Sequence, residues 1–120
     1  MRISKIIFLL ILFFLFIPKI SLAESCLRIS AMAYKDVKYS GNILRANQFQ
    51  WMDLSWLTRN LGKVKPRNMG FNRFMYHWDC HSASGAYFTV IVNNSNQVVA
   101  GDGLYSSDAG AYLFRFNVAP

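Results

Sequence analysis

The chain has 120 residues, with 13 Lys and Arg against 6 Asp and Glu, two histidines and two cysteines. That length holds one domain rather than two. Two cysteines exclude an all-cysteine zinc site, and two histidines leave any metal site sparse.

Residues 1–23 read as a secretory signal peptide. Arg2 and Lys5 form a basic start, residues 6–17 are an unbroken apolar run of 12, Pro18 breaks it, and Ser21 and Ala23 are small residues at the −3 and −1 positions of a cleavage site. A run of 12 is shorter than the about 20 residues that span a bilayer. Ala23, Glu24 and Ser25 before Cys26 make a poor lipobox. Cleavage would leave 97 residues, 24–120, as a single small domain. Losing Arg2, Lys5 and Lys19 takes the 13 cations to 10 against 6 acidic residues, a net charge of +4. That is an ordinary surface charge and does not call for nucleic acid. Export implies an oxidising compartment, where Cys26 and Cys80 form one disulfide.

Residues 26–34 (CLRISAMAY) alternate Leu27, Ile29 and Ala31 with polar neighbours, which predicts a short strand. Residues 35–41 read as a polar turn. A brief strand is predicted where Phe49 and Trp51 alternate with Gln48 and Gln50. Residues 53–61 (DLSWLTRNL) are the clearest helix: Asp53 caps it, Leu54, Leu57 and Leu61 form its apolar stripe, and Gly62 stops it. Residues 63–72 are expected to be a basic loop. Lys63, Lys65, Arg67 and Arg73 suit a solvated surface or an anionic partner such as lipid headgroups. Strands are predicted at 74–80, 87–93, 97–100 and 111–118, with Gly101-Asp102-Gly103 ending the third and residues 105–110 a loop. In the last strand Tyr112, Phe114, Phe116 and Val118 share one face; Leu113, Arg115 and Asn117 share the other. The fold class is α+β: a short helix packed on an antiparallel sheet of four to five strands.

Chemistry concentrates at residues 76–81. On a strand Tyr76, Trp78 and Cys80 face the core, while His77, Asp79 and His81 face outward together. Two imidazoles and a carboxylate are metal-ligating types, but His77 and His81 on one extended strand lie about 13 Å apart, too far to share an ion. Ser106 or Ser107 with a histidine and an aspartate lacks a nucleophile elbow. No cofactor motif is present, so the chain reads as non-enzymatic, with no catalytic, cofactor or metal residues. Trp51, Tyr105 and Tyr112 are candidate interface anchors.

Residues 53–57 (DLSWL), then Leu61-Gly62-Lys63-Val64, then Tyr76-His77-Trp78 and the run 89–99 (TVIVNNSNQVV), resemble the BamE (SmpA/OmlA) family of outer-membrane assembly lipoproteins and the related β-lactamase-inhibitor-protein-like fold. The resemblance covers roughly residues 47–102. Val64 stands where that family usually carries proline. It implies an envelope accessory protein that binds another protein. Tyr76, Cys80, Gly85, Phe88 and Val90 are more loosely similar to small β-barrel periplasmic lysozyme inhibitors, which implies the alternative of an inhibitor of a secreted enzyme. A small metal-binding secreted protein is the second alternative.

Overall fold

The structure is a computed structural model that describes residues 21–120. The basic start and apolar run of the expected signal peptide lie outside the described residues. The chain order is helix α1 (Leu22–Ser40), strand β1 (Ile43–Arg45), a 3-10 turn (Gln50–Met52), helix α2 (Leu54–Leu61), then strands β2 (Arg67–Gly70), β3 (Arg73–Asp79), β4 (Tyr87–Val92), β5 (Val98–Ser107) and β6 (Gly110–Ala119). The six strands form one sheet in the order β1-β6-β5-β4-β3-β2. The class is α+β, with one strand more than expected. The sheet is mixed, because β1 runs parallel to β6.

The largest correction is α1. The strand expected at residues 26–34 and the turn expected at 35–41 are both parts of this 19-residue helix. Cys26, Ile29, Ala33 and Val37 are buried and fall at helical spacing, which places them on one face against the sheet. The apparent alternation of Leu27, Ile29 and Ala31 is three positions wide, and the longer period wins. Lys35, Lys38 and Tyr39, which look like a turn, are the solvent side of the last helical turns. Both ends are specified locally. Ser21 Oγ accepts from the Glu24 amide at 3.1 Å. At the other end Gly41 is left-handed, the Asn42 amide donates to the Val37 carbonyl, and the Gly41 amide donates to that of Lys38. This is the paired closure of a Schellman motif. The Ala23–Glu24 junction lies in the first turn of α1.

The helix α2 forms as expected. Asp53 Oδ1 accepts from the amides of Ser55 and Trp56 at 2.8 and 3.3 Å, and Leu57 and Leu61 are buried. Its end is tied to the sheet: Trp78 Nε1 donates to the Gly62 carbonyl at 2.9 Å. The segment before α2 departs from expectation. Trp51 lies in the 3-10 turn rather than a strand, and it is fully buried rather than an interface anchor. It packs edge-on against Phe88 and Phe116, with ring centroids 5.7 and 5.2 Å away. Its indole N–H, which burial would otherwise strand, donates to Asp36 Oδ2 of α1 at 2.7 Å.

Both helices cover the same face of the sheet. That face carries Phe74, Tyr76 and Trp78 of β3, Phe88, Val90 and Val92 of β4, and Phe114 and Phe116 of β6. The expected loop at 63–72 contains β2, which pairs with β3. The strand expected to end at Gly101-Asp102-Gly103 runs through it to Ser107, so Tyr105–Ser107 is strand and not loop. Both glycines lie under aromatic rings of β6. Gly101 pairs with Phe116 and Gly103 with Phe114. A glycine in a strand leaves a gap on the pleat, and here a cross-strand ring fills each one. The staple is in place: Cys26 of α1 is disulfide-bonded to Cys80 just after β3, with a Cα–Cα distance of 5.2 Å.

Candidate protein-binding edge

The far face of the sheet has no helix on it among the described residues. Registers set its side chains in rows across four strands. One row is His77, Thr89, Asp102 and Arg115; a second is Asp79, Tyr87, Leu104 and Leu113. His77 Nδ1 and Thr89 Oγ1 are hydrogen-bonded at 2.8 Å. The Tyr87 hydroxyl donates to Asp102 Oδ2 at 3.1 Å. Burial and then the adjacent Asp102 carboxylate push the Tyr87 pKa above its ordinary 10.0, with Arg115 pulling weakly the other way. A raised folded pKa means that this contribution to stability is intact below about pH 10 and is lost as pH rises through the folded value. Tyr87→Phe is therefore expected to unfold at lower denaturant concentration than the wild type at neutral pH. The difference should shrink above pH 10. A difference that stays constant across that range would mean the hydroxyl is not held in this bond.

The candidate metal residues do not gather. His77 and Asp79 point outward on β3 as alternation requires, with His77 tied to Thr89. His81 lies beyond the strand in a left-handed conformation, and its amide donates to Asp79 Oδ1 at 2.7 Å. Among the described residues no three His, Cys, Asp or Glu side chains form a group that could hold an ion. Ser106 Oγ is buried without a hydrogen-bond partner, so no histidine activates it.

The sheet's two edges differ sharply. The β2 edge is short, follows Pro66, carries Arg67 and is bulged between Asn68 and Gly70. Those are devices that blunt an edge against strand addition. The β6 edge has fewer of them. β1 pairs only with Asn117, Val118 and Ala119. Residues 110–116 of β6 thus have no strand partner on their outer side among the described residues, and this stretch carries one charge, Arg115.

Depressions flank this edge on both faces of the sheet. On the helix side, one of about 270 Å³ is lined by Tyr34, Val37, Lys38, Asn42, Leu113, Phe114 and Arg115. On the open side, one of about 370 Å³ is lined by Tyr87, Asp102, Leu113, Phe114 and Arg115. Leu113 is 73% exposed at the meeting of the two. Tyr112, one of the expected anchors, remains 37% exposed and stacks on Tyr34 at 5.3 Å; Tyr105 completes that cluster, half-buried, 6.1 Å from Tyr112. Leu113, Arg115, Tyr34 and Lys38 are the residues that the sequence pattern alone does not single out. Alternation places Leu113 and Arg115 on one face, but only the strand order shows that they stand at an edge.

Comparison with known protein families, with curated proteins and with solved structures finds no match.

Proposed function

We propose that the protein is an exported, non-enzymatic binding module that receives an extended segment of another protein as an added strand on β6. The observation that carries this reading is the unpaired edge at residues 110–116 with a depression on each face. An added strand would satisfy the free main-chain groups of β6 and send alternate side chains into the two depressions, which supplies affinity and specificity together. Lys38 and Arg115 beside the edge favour a segment that carries acidic residues. The disulfide agrees with an oxidising compartment, and no helix among the described residues is long and apolar enough to cross a membrane. The resemblance to envelope accessory proteins supports the same role.

A photo-reactive amino acid placed at Leu113, and separately at exposed Arg28 of α1, tests the reading in cells. The expected result is one discrete protein adduct from position 113, lost on Arg115→Glu, and none from position 28. Equal adducts from both positions, or none from 113, would refute it. An adduct with a second copy of this chain would replace the foreign partner with self-association.

A further inference from the structure

The β2–β3 hairpin turns through Phe71 and Asn72, both at positive φ, 54° and 59°. A two-residue turn of this hand suits Asn, Asp and Gly. Asn72 fits that rule. Phe71 does not, because a bulky side chain in the left-handed region is rare and strained. Nor does the ring gain burial in exchange: Phe71 is 98% exposed, and Met69 beside it is also exposed.

The sequence that holds this tip carries one sign of charge, with Arg67 and Arg73 on the hairpin itself. From Leu54 to Trp78 the sequence has five cations, Arg59, Lys63, Lys65, Arg67 and Arg73, and no acidic residue. All five are exposed. The acidic residues that bound the stretch are already engaged. Asp53 caps α2, and Asp79 accepts from the His81 amide at the opposite end of β3.

We propose that this hairpin docks on an anionic lipid bilayer, with Phe71 entering the headgroup–acyl boundary and Arg67 and Arg73, one on each strand of the hairpin, meeting the headgroups. A bilayer interface accepts an aromatic ring and a collar of cations at the same depth. Long basic side chains lie along the boundary with their charges in the headgroup layer. An acidic protein face would answer the cations alone and leave the strained ring without a role. The hairpin belongs to the β2 edge, across the sheet from β6, so the inference stands apart from the proposed strand-binding site.

For the test, the full chain is expressed and the purified protein is mixed with two kinds of vesicle, one of phosphatidylcholine alone and one with an equal part of phosphatidylglycerol. Co-sedimentation is expected only with the second, and added salt should release the protein. Phe71→Asn should weaken partition about tenfold, and Arg67→Gln and Arg73→Gln about fivefold each. Phe71→Asn removes a strained residue, so its unfolding midpoint should not fall, which separates lost docking from lost folding. Tyr39→Asn, at an exposed aromatic of α1, should bind vesicles as the wild type does. Absence of partition, or partition that Phe71→Asn leaves unchanged, overturns the proposal. Binding to a polyglutamate surface that equals vesicle binding and ignores Phe71 would assign the cations to an acidic protein instead.

Discussion

Replacing both Cys26 and Cys80 with alanine is expected to cost about 4 kcal/mol of stability. The bond joins residues 54 apart in sequence. In the chain-entropy view, opening a loop of that length restores freedom to the unfolded chain worth about 4 kcal/mol at room temperature. Both cysteines are buried in the core cluster, so truncation also leaves small voids. The bond does more than shorten a loop. It fixes the first turns of α1 to the end of β3, while the Schellman closure fixes the other end of α1 to β1. Without it, the first turns of α1 are held by their apolar face alone, while the Asp36–Trp51 hydrogen bond and the C-terminal closure still hold the other end. Chemical denaturation of the double variant, and of the wild type with and without a reductant, measures the effect. The two losses should agree within about 1 kcal/mol, since reduction creates free thiols rather than alanines. A reduced protein as stable as the oxidised one would show that the staple is dispensable.

The sequence was most readable where structure is local. Asp53 and Gly62 mark α2 because a cap and a stop act within one turn of the residues they serve. The hairpin at Asn93–Gln97 was legible for the same reason: Asn93 Oδ1 accepts from the amides of Ser95 and Gln97, and this closes the turn from within it. Reading residues 1–23 as a leader hides the opening of α1. Counting from Glu24 removes Ser21, the cap, and divides a 19-residue helix at a leader boundary. The remaining window then shows three alternating apolar residues and a polar tail, which mimic a strand and a turn.

The candidate site was less legible because an edge is a property of strand order. Alternation in β6 correctly separated Phe114 and Phe116 from Leu113 and Arg115, since a period of two is local. That β1 covers only the last three residues of β6 depends on contacts between residues about 75 apart in sequence, which no local pattern encodes. The basic segment at 63–73 is visible as charge, but the exposure of the Phe71 ring depends on the turn at Phe71 and Asn72, which a phenylalanine does not signal.

Gly101→Ala should cost about 3 kcal/mol, a large penalty for a single methyl group, and the reason lies in β6. Alanine in place of glycine within a strand is usually neutral or favourable, because the unfolded chain loses freedom. Here the added carbon would sit 2.4 Å from the Phe116 ring and 2.5 Å from the Thr89 carbonyl oxygen, one side chain and one backbone atom. The ring could swing aside only by giving up its place against Trp51. The carbonyl belongs to β4, beside β5 in the sheet, and cannot move without disturbing the ladder. Overpacking of this kind typically costs about 1–3 kcal/mol, and a backbone contact places this position at the upper end. A double-mutant cycle separates the two obstacles. If the ring is the main one, combining Gly101→Ala with Phe116→Leu should recover about half the loss relative to Phe116→Leu alone. If the Thr89 carbonyl dominates, the two changes should add. Gly101→Ala with unchanged stability would mean that neither the Phe116 ring nor the Thr89 carbonyl crowds the glycine. The same geometry explains why the strand continues through Gly101-Asp102-Gly103 despite its two glycines.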